Sequence, residues 1–129
     1  CRTIRAHGMM DRVIVASFRS EVLDEFRREC AEVATSASAA DVRTFLALKA
    51  VRLEDNYDTS ARALQVPEYA GGWRVLTADF VAAAHRRGVE VHAWTINDED
   101  AMRRMFELGV DGVITDYPDR MIALLHGRP

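Results

Sequence analysis

Residues 88–118 read GVEVHAWTINDEDAMRRMFELGVDGVITDYP, and they carry the clearest secondary-structure signals of the chain. Runs of β-branched and other apolar residues at 90–96 and 110–115 predict two buried strands. The segment between them has apolar residues at helical spacing, begins after the capping residue Asn97 and ends at Gly109. A strand, a helix and a second strand in succession indicate a βαβ unit, because parallel neighbours need a crossover that a helix supplies.

The same alternation of strands and helices extends on both sides of this stretch. Further strands are predicted near residues 13–18, 31–35 and 64–67, and helices follow at about 21–29, 39–53, 78–87 and 118–125. Five strands separated by helices favour an α/β fold with a parallel sheet. An open doubly wound sheet is disfavoured because the chain has no G-x-G-x-x-G phosphate turn. A barrel remains, and five units would be part of one.

Local signals refine these boundaries. Ser38 and Asp41 have the spacing of a capping box before the second helix of this series. Gly71-Gly72 predicts a turn, and residues 54–61 predict a loop. The chain begins at Cys1 in what resembles the end of a helix, so we expect a fragment or a trimmed chain.

Composition excludes several function classes. The 129 residues are 49% hydrophobic and 29% charged, with a net charge of −3 and no block of like charge. This pattern predicts an ordinary globular domain that binds neither nucleic acid nor an anionic membrane surface. No apolar run approaches the roughly 20 residues of a transmembrane helix. The two cysteines, Cys1 and Cys30, are interpreted as reduced or incidental.

Four blocks of sequence resemble motifs of one enzyme family. They occur in the family's order between residues 13 and 118, and they are Ser17-Phe18, Leu64-Gln65-Val66-Pro67, Trp94-Thr95-Ile96-Asn97 and Gly109-Val110-Asp111-Gly112 running into Thr115-Asp116-Tyr117-Pro118. Together they resemble the carboxy-terminal part of the glycerophosphodiester phosphodiesterase family. The Trp-Thr-Ile-Asn block is the most specific of the four.

The resemblance implies a partial (β/α)8 TIM barrel of the phospholipase C-like phosphodiesterase type, with about five βα units over residues 1–129. It implies hydrolysis of a small-molecule glycerophosphodiester to glycerol 3-phosphate and an alcohol in lipid metabolism, with a divalent cation, Ca²⁺ or Mg²⁺. The family's Glu-x-Asp and Glu-x-Lys motifs do not occur in this sequence, and its one His-Arg pair, His85-Arg86, lies in a predicted helix and not at a strand. The resemblance therefore implies that the metal ligands and catalytic histidines lie upstream of Cys1, and that this chain alone is inactive.

The resemblance implies three substrate-binding residues, each near the carboxyl end of a predicted strand. Ser17 would donate a hydrogen bond to a phosphate oxygen, Gln65 would contribute a polar group, and Trp94 would pack against the glycerol backbone. Carboxyl ends of barrel strands converge on the catalytic face, so the three are expected to share one concave surface. Trp94 shares a strand face with His92, while Val91 and its alternating neighbours face the helices.

Other polar residues are interpreted structurally. His92 is expected to be a packed histidine, and His85, like His7 and His126, is expected at the surface. Asp111 and Asp116 are five residues apart and fall on opposite strand faces, which makes them a poor metal pair. A rival hypothesis from another class is a non-catalytic βα half-barrel that associates with itself or a partner through open sheet edges.

Overall fold

The computed structural model describes residues 1–127, which form two compact units, Cys1–Leu64 and a second unit that begins at Gln65. Both units combine helices with short strands, so the predicted mixed α/β class is confirmed. All five predicted strands are present, although most are shorter than expected. No helix of the described part is long and apolar enough to cross a membrane.

The first unit contains two parallel strands with helices before, between and after them. Its elements are α1 (Arg2–Ala6), β1 (Ile14–Val15), α2 (Ser20–Glu29), β2 (Ala34–Thr35), α3 (Ala39–Ala50), a 3-10 helix (Glu54–Asn56) and the start of β3 (Ala63–Pro67). Ile14 pairs with Ala34 and Val15 with Thr35 in a parallel register. The 3-10 helix lies inside the predicted loop, which is therefore partly helical.

Local chemistry fixes the start of α3. Ser38 accepts a hydrogen bond from the backbone N–H of Asp41, and the Asp41 carboxylate accepts one from the Ser38 N–H at 2.8 Å. The predicted capping box is confirmed, and it satisfies two backbone donors that a helix start leaves unpaired. Further along α3, Phe45 is fully buried and contacts the ring of Tyr57 edge-on, with ring centroids 5.0 Å apart.

Cys1 and Cys30 form a disulfide, so their interpretation as reduced or incidental was wrong. Their Cα atoms are 5.8 Å apart although the residues are separated by 29 positions. The reason is tertiary: α1 lies beside the end of α2, where Arg5 donates hydrogen bonds to Glu32 and to the Glu29 carbonyl. Cysteine spacing alone does not report this proximity.

The second unit contains a three-stranded sheet in the order β3, β6, β7 and a separate two-stranded hairpin. Its elements after β3 are β4 (Tyr69–Ala70), β5 (Trp73–Arg74), α4 (Ala78–Arg86), β6 (Glu90–Trp94), α5 (Glu99–Leu108), β7 (Gly112–Val113) and α6 (Pro118–His126). β6 and β7 are parallel, with His92 opposite Gly112. Gly88 and Gly109 have φ angles of 68° and 77°, as expected of glycines that follow helices.

The hairpin is an element that the sequence analysis reduced to a turn. Gly71 and Gly72 form its two-residue loop, and both have positive φ angles, 55° and 81°. A two-residue loop with two positive φ angles matches the right-handed twist of antiparallel strands, and glycine adopts it without steric penalty. Strands of two residues carry no detectable alternation, which is why the hairpin was missed.

Candidate substrate-binding site

β6 presents two chemically different faces. Val91 and Ala93 are fully buried on the face against which α4 packs. Glu90, His92 and Trp94 alternate with them and are only partly buried. The predicted division of this strand into a helix-facing side and a side that carries Trp94 is confirmed.

His92 is packed in a row that crosses all three strands of this sheet. Its Nδ1 lies 3.2 Å from Nε2 of Gln65 on β3, and its Nε2 lies 3.3 Å from a carboxylate oxygen of Glu90. With the ring hydrogen on Nε2, the imidazole accepts from the Gln65 amide and donates to Glu90. On the other side, a Cβ added at Gly112 would lie 2.8 Å from Cδ2 of His92. The glycine therefore leaves room for the ring.

Glu90 is a neighbour that the sequence analysis missed. Strand alternation places residues two apart on the same face, and that signal was available from the sequence. The pair gives His92 a carboxylate partner, so the imidazole and carboxylate form a polar cluster with Gln65. The Gln65 nitrogen is the atom that contacts His92, so its carbonyl oxygen takes no part in this contact.

Trp94 ends β6 two residues beyond His92 and is half-buried. It lies on the partly exposed face of the strand and not on the helix-covered face. Ser17 belongs to the first unit, in the loop between β1 and α2. Its Oγ accepts a hydrogen bond of 3.1 Å from the backbone N–H of Arg19, and its hydroxyl hydrogen can still be donated.

Asn97 does not cap the helix that follows it, so that prediction was wrong. Asp98 is the N-cap of α5 and accepts from the Ala101 N–H at 2.9 Å. Asn97 instead bridges to the loop after β7, donating to the Asp116 carboxylate and accepting from the Thr115 hydroxyl. Both residues are good capping types, and the position of the β7 loop decides between them. Asn97 thereby fixes the loops that follow β6 and β7.

Asp111 has a structural role at the opposite ends of these strands. Its carboxylate accepts hydrogen bonds of 2.8 Å from the Val91 backbone N–H and from His85. Partial burial opposes ionisation, but these two hydrogen bonds outweigh it and lower the pKa of Asp111. His85 is exposed as predicted, and its contact with Asp111 ties α4 to the start of β7.

Glu68 follows β3 directly and is the best-buried carboxylate of this region. Nη2 of Arg74 is 3.4 Å from Oε1 of Glu68, and Nη2 of Arg104 is 3.5 Å from Oε2. Only 12% of the Glu68 side chain is exposed. The carboxylate is thereby neutralised by two guanidinium groups from β5 and α5. Through these ion pairs it holds the base of the hairpin in place.

A cavity of about 430 Å³ in the first unit is lined by Arg27, Asp41, Asp58, Thr59 and Ser60. The Arg27 guanidinium donates to Thr35, Asp24 and the Ser36 carbonyl. Asp41 is engaged in the capping box described above. Two of its charged groups, Arg27 and Asp41, therefore serve the fold.

The described residues do not provide the oxygen ligands that a hard divalent cation prefers. Within residues 1–127, one group of three ligand-type side chains converges, Cys1, Cys30 and Glu32, and its two sulfurs are joined in the disulfide. Ca²⁺ and Mg²⁺ take several carboxylate or carbonyl oxygens. Asp111 and Asp116, weighed above as a metal pair, are each committed to other hydrogen bonds. A resident cation therefore does not fit this set of residues.

Comparison with known proteins places these features in a family. A glycerophosphodiester phosphodiesterase of Bacillus altitudinis is 29% identical over 114 residues, covering 88% of this chain and 43% of that protein. The human lysophospholipase D GDPD1 is 45% identical over 40 residues, covering 31% of this chain and 13% of that protein. This chain thus spans less than half the length of these curated relatives.

A solved structure shares the fold. The phosphodiesterase OLEI02445 of Oleispira antarctica, in complex with the product sn-glycerol-3-phosphate, superposes with a TM-score of 0.65 at 19% identity, over 98% of this chain and 52% of that one. The model of the glycerophosphoryl diester phosphodiesterase family matches residues 2–120. That match includes the Gln65 and His92 row, Trp94, and the loops joined by Asn97. This chain belongs to the glycerophosphoryl diester phosphodiesterase family.

Proposed function

We propose that the protein containing this chain is a phosphoric diester hydrolase that releases glycerol 3-phosphate and an alcohol from a glycerophosphodiester in lipid metabolism. The observation that carries the proposal is the family match over residues 2–120. The product bound to the Oleispira antarctica enzyme supports a small-molecule diester as substrate. The name of the human relative adds lysophospholipids to the diesters that merit testing.

In this proposal residues 1–129 are the carboxy-terminal part of the catalytic domain, a partial (β/α)8 barrel of about five βα units. The parallel pairings of β1 with β2 and of β6 with β7 support this architecture. The family is generally metal-dependent. Because the described residues do not fit a hard cation, the proposal assigns the ligands of Ca²⁺ or Mg²⁺, and the proton-transfer histidines, to residues outside this chain.

The part assigned to this chain is substrate binding. The Ser17 hydroxyl donates to a phosphate oxygen, and the Gln65 amide, oriented by His92, offers its carbonyl to a hydroxyl of the glycerol. The Trp94 indole packs against the glycerol carbons, which removes apolar surface from water and limits the poses of the diester. Glu90 holds the imidazole that orients Gln65, so His92 and Glu90 are positioning residues.

Steady-state kinetics of the longer protein test these roles. Replacing Trp94 with Ala is expected to raise KM for glycerophosphocholine about tenfold, in line with roughly 1 to 3 kcal/mol for a lost side-chain contact. The matched control is Leu125→Ala, which truncates an exposed apolar residue on α6. Unchanged KM in the Trp94 variant would remove Trp94 from the site, and release of products other than glycerol 3-phosphate and the alcohol would refute the reaction.

A second candidate is a non-catalytic module that associates with itself or a partner. Four large apolar residues of α6 and of the loop between β7 and α6 are 42% to 53% exposed, namely Ile114, Tyr117, Ile122 and Leu125. An apolar surface of this kind favours a covering partner. Sedimentation equilibrium of the chain tests this: dimerisation that Ile122→Asp abolishes would support it, and a monomer across concentrations would refute self-association.

A further inference from the structure

The hairpin of β4 and β5 exposes an aromatic residue to an unusual degree. Trp73 is 81% exposed, and Tyr69 is 54% exposed. Large aromatic side chains bury much apolar area when they bind, and tryptophan is enriched where ligands and partners contact a protein. The Trp73 indole lies in β5, directly after the two-glycine loop and outside the core. This exposure indicates a surface that binds a ligand.

The two faces of the hairpin differ. Paired residues of an antiparallel ladder share a face, so Trp73 lies with Ala70, and Tyr69 lies with Arg74. The Arg74 guanidinium covers the Tyr69 ring, with its carbon 5.9 Å from the ring centroid. Tyr69 is thus engaged by a cation, whereas the Trp73 face combines the indole with a methyl group. The Trp73 face is apolar and suits a hydrocarbon.

The hairpin stands next to the proposed substrate-binding residues of the same unit. Gln65 is four residues before Tyr69, which limits their separation to about 14 Å of extended chain. Glu68 anchors the hairpin base, since its carbonyl accepts from the N–H groups of Val75 and Leu76 and its carboxylate binds Arg74 and Arg104. A hydrocarbon attached to a diester at Gln65 therefore has an anchored apolar surface within reach.

We propose that the Trp73 face of the hairpin binds the acyl chain of a lysophospholipid whose phosphodiester lies near Gln65 and Trp94. This inference rests on the proposed function and narrows its substrate class to diesters that carry an apolar tail. A bilayer surface is the less suitable occupant. Stable insertion needs more than one apolar signal on a common side, and here Tyr69 faces away from Trp73.

The binding test uses the chain itself. Its two tryptophans are Trp73 and Trp94, so Trp94→Phe leaves Trp73 as the only indole. Titration with myristoyl lysophosphatidylcholine below its critical micelle concentration is expected to shift Trp73 emission to the blue in a saturable way. Glycerophosphocholine, which has the same headgroup without a tail, is expected to leave the emission unchanged. Absence of a shift with the lysolipid, or a shift only with phosphatidylcholine vesicles, would overturn the inference.

Kinetics of the longer protein separate this inference from the proposed function. Trp73→Ala is expected to raise KM for the lysolipid about tenfold and to leave KM for glycerophosphocholine unchanged. Ile122→Ala, an exposed apolar residue of α6, is the control and should change neither. If both diesters are hydrolysed and Trp73→Ala changes neither KM, or changes both equally, the proposed role of the hairpin is refuted and the proposed function stands. If neither diester is hydrolysed, the function fails and the fluorescence titration alone decides the inference.

Discussion

Nε2 of Gln65 lies 3.2 Å from Nδ1 of His92, so two residues 27 positions apart are joined across neighbouring strands. The contact uses one side of the imidazole, and Glu90 uses the other. The ring is therefore held from both sides, and it orients the Gln65 amide instead of serving as a free base. A polar group that is oriented in advance loses less freedom when a ligand binds.

Gly112 tests how firmly the ring of His92 is held. In Gly112→Ala the new Cβ would lie 2.8 Å from Cδ2 of His92, and the hydrogen-bonded ring resists displacement. We expect a loss of about 1 to 3 kcal/mol in the free energy of unfolding by urea. In a protein that already carries His92→Ala, adding Gly112→Ala should cost much less, because the ring that the new Cβ would meet is absent. An equal cost of Gly112→Ala in both backgrounds would contradict the proposed contact.

Asp111 is expected to make the free energy of unfolding depend on pH in the acidic range. Because its folded pKa lies below its ordinary value of 3.8, its stabilisation is fully present above that value and is lost as the pH falls from there through the lower, folded pKa. Asp111→Asn should therefore flatten the fall in urea midpoint between about pH 6 and about pH 3. The exposed Glu107→Gln is the charge-matched control. A variant as acid-sensitive as the wild type would show that the carboxylate is not stabilised by Val91 and His85.

The Cys1–Cys30 disulfide predicts a redox dependence of stability. A closed loop of this length restricts the unfolded chain and contributes roughly 3 to 4 kcal/mol. Cys30→Ser should lower the free energy of unfolding by about that amount in oxidising buffer, and dithiothreitol should bring the wild type down to the variant. Equal stability of the oxidised wild type and the variant would contradict the contribution of the bond.

The elements that the sequence predicted well are those fixed by neighbours along the chain. Ser38 and Asp41 form their capping box through contacts three residues apart, and alternation along 90–94 separated the buried Val91 from His92. These signals come from residues close in sequence, so they do not depend on contacts with distant segments. The parallel pairing of β6 with β7 followed in the same way from the helix between them.

Several of the errors fall where distant segments meet. In the sequence, Asn97 and Asp98 are equivalent capping candidates. In the structure, Asn97 hydrogen-bonds to Thr115 and Asp116 of the loop after β7, and Asp98 caps the helix. The disulfide required α1 to lie beside the end of α2, and the row at His92 required β3 and β7 on its two sides. For Ser17, Gln65 and Trp94, the shared substrate surface stays a prediction, because Ser17 belongs to the first unit and the other two residues to the second.

In the proposed function, this chain supplies residues that bind the diester and not the groups that react. Release of glycerol 3-phosphate from glycerophosphocholine should be measured for the 129-residue chain and for a longer protein that contains it, each titrated with Ca²⁺ and Mg²⁺. We predict metal-dependent turnover by the longer form and none by the chain alone. Metal-dependent turnover by the 129-residue chain would contradict the account and would make His92, with Asp116 or Glu68, the candidates for the reacting groups.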